Sequence, residues 1–476
     1  MYHEKNHKEV AVITVASKRD SKEGRKIMEN KKKSLNIRKL KKQVKGITLI
    51  ALVVTIIVLL ILAGIALNLT IGQNGIFSRA QTATNTWRNA ETNEQLAMGE
   101  LEDWMEGYMN GNGGNQGGGT GDGDYNTGTT VEEAKNQNKP FENDTTITDS
   151  CTPANSIRVP AGFKIAEDSA LTVEDGVVIE DKDGNQFVWI PAKTEAEGGA
   201  TINLSSGDTT TIVYQRTAFT GENITAYTET MPSDEEASVN AWGGYYIGRY
   251  EAGDKEATDA TMMREEYMMN QLMEFAKENG IDLTNSDNLT EEQEQQLNEK
   301  ASEIENEIHT ITIKKSQAPY NNITFANLKS LAEGMDTVQG YTTATTKLVS
   351  SYAWDTAISY IQIKNSDYGT NSPEGNYSNS DTFTYTDIAG DTQTGPTGEL
   401  IPTGQTTEVS NIYDMGGNLY EYTTESYSYG SINVVIRGGN YFSVYGDYPA
   451  GYRGVNGGLA GSSYGFRVTL YCSTES

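Results

Sequence analysis

The side chains best placed to do chemistry lie in NIYDMGGNLYEYT, Asn411 to Thr423, which sets Asp, Gly, Gly, Asn and Glu close together between apolar residues. Such a run needs backbone angles that Gly and Asn adopt most easily, and it presents Asp414 and Glu421 near one another on a tight loop. Hard oxygen ligands clustered in this way suit a calcium ion; a turn held by its own Asp and Asn side chains uses the same residues. Nucleophiles are scarcer. The chain has two cysteines, Cys151 and Cys472, and one histidine outside its first ten residues, His309. The cysteines flank the C-terminal region, so a bridge between them closes a loop of about 320 residues and adds a few kcal/mol in the chain-entropy model. Two separate thiols are the alternative. A hydrolytic triad needs His309 in a cleft.

Elements must hold these groups in place. FVWIP (Phe187–Pro191) is a buried-strand pattern ended by Pro, and YYIGRYEAG (Tyr245–Gly253) alternates aromatic and small residues as a strand does. SSYAWDTAISYIQIK (Ser350–Lys364) is helix-like. From about Val131 onward, Thr, Tyr, Val, Ile, Asn and Gly with frequent turn residues predict short strands and long loops. Between Lys255 and Ile313 the pattern changes. EATDATMMREEYMMNQLMEFAKENG and EEQEQQLNEKASEIENEI are helical and acidic, with a capping start at Thr290, and predict a helical hairpin inserted over 255–313. Its methionines, Met262, Met263, Met268, Met269 and Met273, serve either as an adaptable contact surface or as ordinary packing.

Where this module works is set further upstream. Ile47 to Ser78 carries no charge, and about 20 apolar residues suffice for a helix to cross a bilayer. Residues 1–46 hold fifteen Lys or Arg against five Asp or Glu, so the positive-inside rule keeps them cytoplasmic and sends the rest outward. The formal charge of −28 therefore splits into +10 and −38, and an exported part this acidic repels phosphate backbones and argues against nucleic-acid binding. Met28 offers an alternative start that shortens the leader to MENKKKSLNIRKLKKQVKG. Arg79 to Met109 reads as an amphipathic stalk, and the Gly-rich run Asn110–Thr130 as a flexible tether spanning about 20–25 Å.

A basic leader, Gly46, and then Ile47, Thr48, Leu49, Ile50 opening a long apolar helix resemble the type IV prepilins and pseudopilins. The resemblance implies cleavage between Gly46 and Ile47 by a prepilin peptidase, and contact with other pilins. It departs at the fifth mature position, where the family usually has Glu and this chain has Ala51; that counts against packing as a repeated subunit and leaves a minor or tip position open. A plain uncleaved signal anchor is the other reading.

FVWIP, YYIGRYEAG, SSYAWDTAISYIQIK, IYDMGGNLYEYT, VIRGGNYF and GFRV, in that order, resemble the formylglycine-generating or sulfatase-modifying-factor domains, an irregular fold related to C-type lectins. Enzymes of that family use a cysteine pair bracketing the GFR segment, with copper between the thiolates. The corresponding positions here are about Ser463 and Val468, so the resemblance implies neither thiol chemistry nor copper. It also implies a calcium site in the acidic run, with Asp414 and Glu421 as side-chain ligands and Gly417 and Leu419 as carbonyl donors.

The chain closes with RGGNYFSVYGDYPAGYRGVNGGLAGSSYGFR, framework residues bracketing Tyr, Ser, Gly, Asn and Asp, which is the palette of antibody loops. Its placement resembles the variable proteins of diversity-generating retroelements, whose adenine-directed mutation scatters residues over a fixed scaffold. That resemblance implies ligand contacts at Asn440, Tyr441, Ser443, Tyr445, Asp447, Tyr448, Tyr452, Asn456 and Ser462; fixed loop residues of a lectin-like domain are the alternative.

The sequence thus predicts an α+β chain: a basic leader (1–46), a membrane-spanning pilin-like helix and stalk (47–109), a Gly-rich linker (110–130) and a lectin-fold domain (131–476) carrying the insertion. The expected role is a ligand-binding or adhesion protein, anchored single-pass in the cell membrane or a pilus, with its C-terminal domain outside and an extracellular protein or glycan as partner. The alternatives are an oxidase or hydrolase on the same scaffold, and a purely structural minor pilin.

Overall fold

The computed structural model describes residues 129–283, 289–427 and 434–474. The leader with Gly46 and Ile47, the apolar helix, the stalk and most of the linker lie outside the described residues. Among the described residues no helix is long and apolar enough to cross a membrane.

FVWIP and YYIG pair with one another. Gln186–Pro191 and Gly244–Gly248 run antiparallel with Trp189 opposite Tyr246, at the middle of a six-stranded sheet. Its order is Ala344–Leu348, Val468–Cys472, Gly244–Gly248, Gln186–Pro191, Val178–Glu180 and Lys164–Ile165, and every pairing is antiparallel. The central strands read as unbroken apolar runs because both of their faces are covered: every residue of Gly244–Gly248 and Val468–Cys472 is buried. A second sheet is built from Arg453–Asn456, Val434–Arg437, Tyr420–Tyr427 and Tyr464–Phe466, with Tyr227–Thr228 also paired to Tyr420–Tyr427. Thus the acidic run leads directly into one strand of this sheet, and the segment between Arg437 and Arg453 connects two neighbouring ones.

The helix-like stretch is a helix over Ser351–Ile361. Ser350 caps it by accepting from the Ala353 amide at 3.1 Å. Its flanks are apolar nearly all round, with Trp354, Ile358 and Tyr360 buried, and Asp355 is buried with them. A second carboxylate meets the start of this helix: Glu229 accepts from the Ser351 amide at 3.0 Å and from the Thr424 hydroxyl. Burial pushes the Glu229 carboxyl up to about 8, and Glu425 and Glu235 add to the rise.

The sign of the consequence follows from proton counting. Between the unfolded value near 4.5 and about 8 the folded chain holds the extra proton, so this group makes stability fall as pH rises through that window. Glu229→Gln keeps an acceptor for the Ser351 amide and offers its own N–H to Thr424. It should leave stability at pH 5 nearly unchanged and raise it at pH 8.5 by about 1–2 kcal/mol after solvent screening. Urea denaturation at the two pH values measures the difference; an equal effect at both would show that Glu229 does not titrate in this way.

The stretch expected as a helical insertion holds the helices Lys255–Asp259, Arg264–Glu278 and Glu291–Glu305, and the last begins with a reciprocal capping box between Thr290 and Gln293. The chain leaves and re-enters through adjacent short strands, Gly253 opposite Thr312 and Asp254 opposite Ile311. The base is tied by a buried cluster. Arg264 pairs with Asp254, His309 Nδ1 lies 2.8 Å from both Asp254 oxygens, and Arg264 Nε donates to the Asn321 carbonyl at 2.8 Å.

Candidate ligand-binding surface

The loop from Gly438 to Tyr452 is held at both ends by buried charge. Arg437, the last residue of its entering strand, donates to Asp355 Oδ1 at 2.6 Å, and Arg453, the first residue of the departing strand, donates to Asp355 Oδ2. One helix carboxylate therefore clasps both stems. Arg437 also donates to the carbonyls of Tyr452 (2.8 Å) and Gly451 (3.1 Å), and the Trp354 indole to that of Ala450 (2.9 Å). Arg453 reaches Glu425 at 2.9 Å and Glu222, and Glu425 takes a further bond from Arg216 at 2.7 Å. Burial opposes ionisation of Glu425, but Arg453 and Arg437 outweigh it and hold the carboxyl below its usual range. Three guanidinium groups and three carboxylates thus form a closed network beneath the loop.

The glycine pair after Arg437 makes the turn sterically feasible. Gly438 and Gly439 have φ of +88° and +73°, and a Cβ on Gly438 would lie 2.5 Å from the Met415 carbonyl oxygen. The acidic run shows the special angles expected of it, with positive φ at Asp414, Gly417 and Asn418.

The nine positions implied for ligand contact divide. Tyr441, Tyr445, Asp447, Tyr448, Tyr452 and Ser462 have exposed or half-buried side chains. Asn440 and Ser443 are corrections: both are buried, and they bond to one another, Ser443 Oγ donating to Asn440 Oδ1 at 2.6 Å and accepting from the Asn440 amide at 3.1 Å. The Ser443 carbonyl is also tied to Ser378. Asn456 is half-buried, and its Oδ1 accepts from the Tyr422 hydroxyl at 2.8 Å and the Gly458 amide at 2.9 Å. These three short polar side chains brace the loops instead of facing outward.

Their place on the surface is taken by residues that polar-palette reasoning passes over. Phe442 is 58% exposed, Val444 40%, Val455 41% and Leu459 71%. Apolar residues set among Gly, Asn and Ser were the available signal; Phe442, Val444 and Leu459 lie outside any strand or helix, and Val455 is on the strand Arg453–Asn456. Tyr420, Tyr448, Tyr452 and Tyr464 stand beside them as a linked aromatic group, with Tyr448 and Tyr452 edge to face at 4.9 Å.

Of the expected calcium ligands, the two carboxylates have protein partners. Both oxygens of Glu421 accept from Arg467, at 3.0 Å from Nε and 2.7 Å from Nη2, and Asp414 Oδ2 accepts from the Gly404 amide at 2.7 Å. Glu421 is therefore already paired with a buried cation, Arg467, and Asp414 with a backbone amide. Among the described residues, one group of three ligating side chains has its atoms within 4.8 Å of one another: Asp254, Glu256 and His309. Arg264 occupies that cluster, pairing with Asp254 and lying 2.9 Å from His309 Nδ1.

Cys151 and Cys472 are separate buried thiols, which corrects the bridge expectation. Cys472 ends a central strand with its sulfur 3.7 Å from the Arg158 carbonyl, while the Cys151 amide donates to Asp149. Burial raises both thiols above their usual range, so neither is a ready thiolate. Ser463 and Val468 stand where the enzymes' cysteine pair was expected, and Val468 is buried in the central sheet.

Residues 262–471 match the family model of the sulfatase-modifying factor enzyme 1-like domain. No curated protein matches the chain. Similar solved structures include CarF, at 14% identity over 48% of this chain and 86% of that one with a TM-score of 0.28. Treponema denticola variable protein 1 is 12% identical over 32% and 70%, with a TM-score of 0.21. PvdO from Pseudomonas aeruginosa is 14% identical over 62% and 97%, with a TM-score of 0.27.

Proposed function

We propose that this chain is a surface-displayed recognition protein whose sulfatase-modifying-factor-like domain binds an extracellular ligand through its C-terminal loops. In this reading the pilin-like segment anchors it and the Gly-rich run extends it. The observation that carries the proposal is a set of exposed large apolar side chains: Phe442, Val444 and Tyr448 on a loop whose stems are fixed by buried ion pairs, Val455 on the strand that leaves it and Leu459 on the loop after that strand. A rigid base with an exposed aromatic and aliphatic tip lowers the ordering cost of binding. Binding is favoured over catalysis because the two thiols are buried and His309 is enclosed by Asp254 and Arg264.

The test is a screen of the chain displayed on cells against arrays of extracellular proteins and glycans, alongside the variant Phe442→Ser/Val455→Ser/Leu459→Ser. Loss of capture by at least a hundredfold, about 2.7 kcal/mol, with an unchanged melting temperature is the expected result. Undiminished capture would place the site elsewhere. Sequencing the codons for residues 437–467 across a source population tests diversification separately: substitutions should concentrate at the exposed positions and spare Asn440, Ser443 and Asn456.

A further inference from the structure

The insertion plays no part in the reading above, yet its first long helix shares a groove with the C-terminal loops. The groove has a volume of about 460 Å³. Met263 and Met269 line one side and Tyr441 the other, so its floor is mostly apolar. Its rim is not. Glu265 and Glu266 from the helix and Glu399 from the loop opposite all line it and all are exposed. Burial raises the Tyr441 hydroxyl, and Glu265 and Glu399 raise it further, which puts both carboxylates within electrostatic reach of that ring.

Among the described residues, no lysine, arginine or histidine lines this groove. The nearby Arg264 is fully buried and committed to Asp254. The loops themselves add no free cation: between Gly438 and Phe466 the charged residues are Asp447, which is exposed, and Arg453, which is buried in the clasp. An apolar floor ringed by unpaired negative charge is complementary to a side chain that has both parts. Lysine and arginine lay an alkyl stem along apolar surface while the charged head reaches the carboxylates, and methionine adapts its shape to what lies on it. A neutral sugar can donate hydroxyls to carboxylates but brings no positive charge to offset three of them, and a nucleic acid is repelled by them.

The geometry points to this groove as a subsite for a peptide segment of a protein ligand, one with lysine or arginine next to an apolar side chain. The insertion then forms the second wall of the recognition surface. This rests on the loop-binding reading above and narrows its ligand to protein.

The experiment is selection of a random peptide library displayed on phage against the full-length chain in lipid nanodiscs. It is repeated with Glu265→Gln/Glu266→Gln/Glu399→Gln and with the loop variant Phe442→Ser/Val455→Ser/Leu459→Ser. Enriched peptides should share a basic residue beside Leu, Ile, Met or Phe. Their affinity should fall at least tenfold in the triple glutamine variant and in high salt, where exposed charges are screened, and should survive in the loop variant. Peptides without cations, equal binding to the glutamine variant, or no enrichment would each overturn the subsite. None of these outcomes bears on the loops, which the array screen judges through the loop variant alone.

Discussion

Asp355→Ala should cost about 3–5 kcal/mol of stability, the range for breaking a buried ion pair from one side. Asp355 is fully buried and serves two guanidinium groups, but the two do not lose equally. Arg453 keeps Glu425 and Glu222, whereas among the described residues Arg437 makes an ion pair with Asp355 alone and is left with the carbonyls of Tyr452 and Gly451, a long contact to Ser351 and the more distant field of Glu425. Burial already pulls the Arg437 guanidinium below its usual range, and Asp355 is the largest of the groups that oppose this, ahead of Glu425. A loss of that size is about a fifth or more of a typical domain's total stability. Urea denaturation reads the cost, and hydrogen exchange locates it: amides between Gly438 and Arg453 should lose protection ahead of the central sheet. A cost below about 1 kcal/mol would mean that solvent reaches the clasp, and the rigid base argued for the loops would go with it.

What could be read from the sequence was what local pattern determines. Gln186–Pro191 and Gly244–Gly248 announce themselves as apolar runs, Ser350 and Thr290 as caps, and Asp414 to Asn418 as a loop of unusual angles, because each depends on neighbours within a few residues. The site was legible only in outline. Whether Asn440 faces a ligand or the interior depends on Ser443, and the Ser443 carbonyl is tied to Ser378, more than sixty residues earlier. The clasp joins residue 355 to residues 437 and 453, and no periodicity links them. Glu421 read as a metal ligand because its partner, Arg467, lies 46 residues further on. Two cysteines near the ends of a domain suggest a bridge by count alone; the fold places one beside Asp149 and the other against the carbonyl of Arg158.

Arg467 supplies the second large effect, and it also decides between two accounts of the acidic run. Its guanidinium is fully buried and makes four bonds: two to Glu421, one to the Gly248 carbonyl and one to the Tyr413 carbonyl, both of the latter at 2.8 Å. It therefore ties the central sheet to the acidic run and to the strand that follows it. Arg467→Ala removes the counterion of Glu421 beside Asp414 and Glu251, and should cost about 3–5 kcal/mol. Arg467→Lys keeps the charge but not the planar fork, and should fall between alanine and wild type because one ammonium cannot meet both Glu421 oxygens and two carbonyls in the same directions. If the guanidinium is the cation this loop was built around, millimolar calcium or a chelator should leave the wild-type melting temperature unmoved. Calcium should instead stabilise Arg467→Ala, where the vacated space faces three carboxylates, by mass action on the folded state. Stabilisation of the wild type by calcium would reverse the argument. It would mean that Arg467 and the metal exchange places, and that Glu421 turns from one to the other.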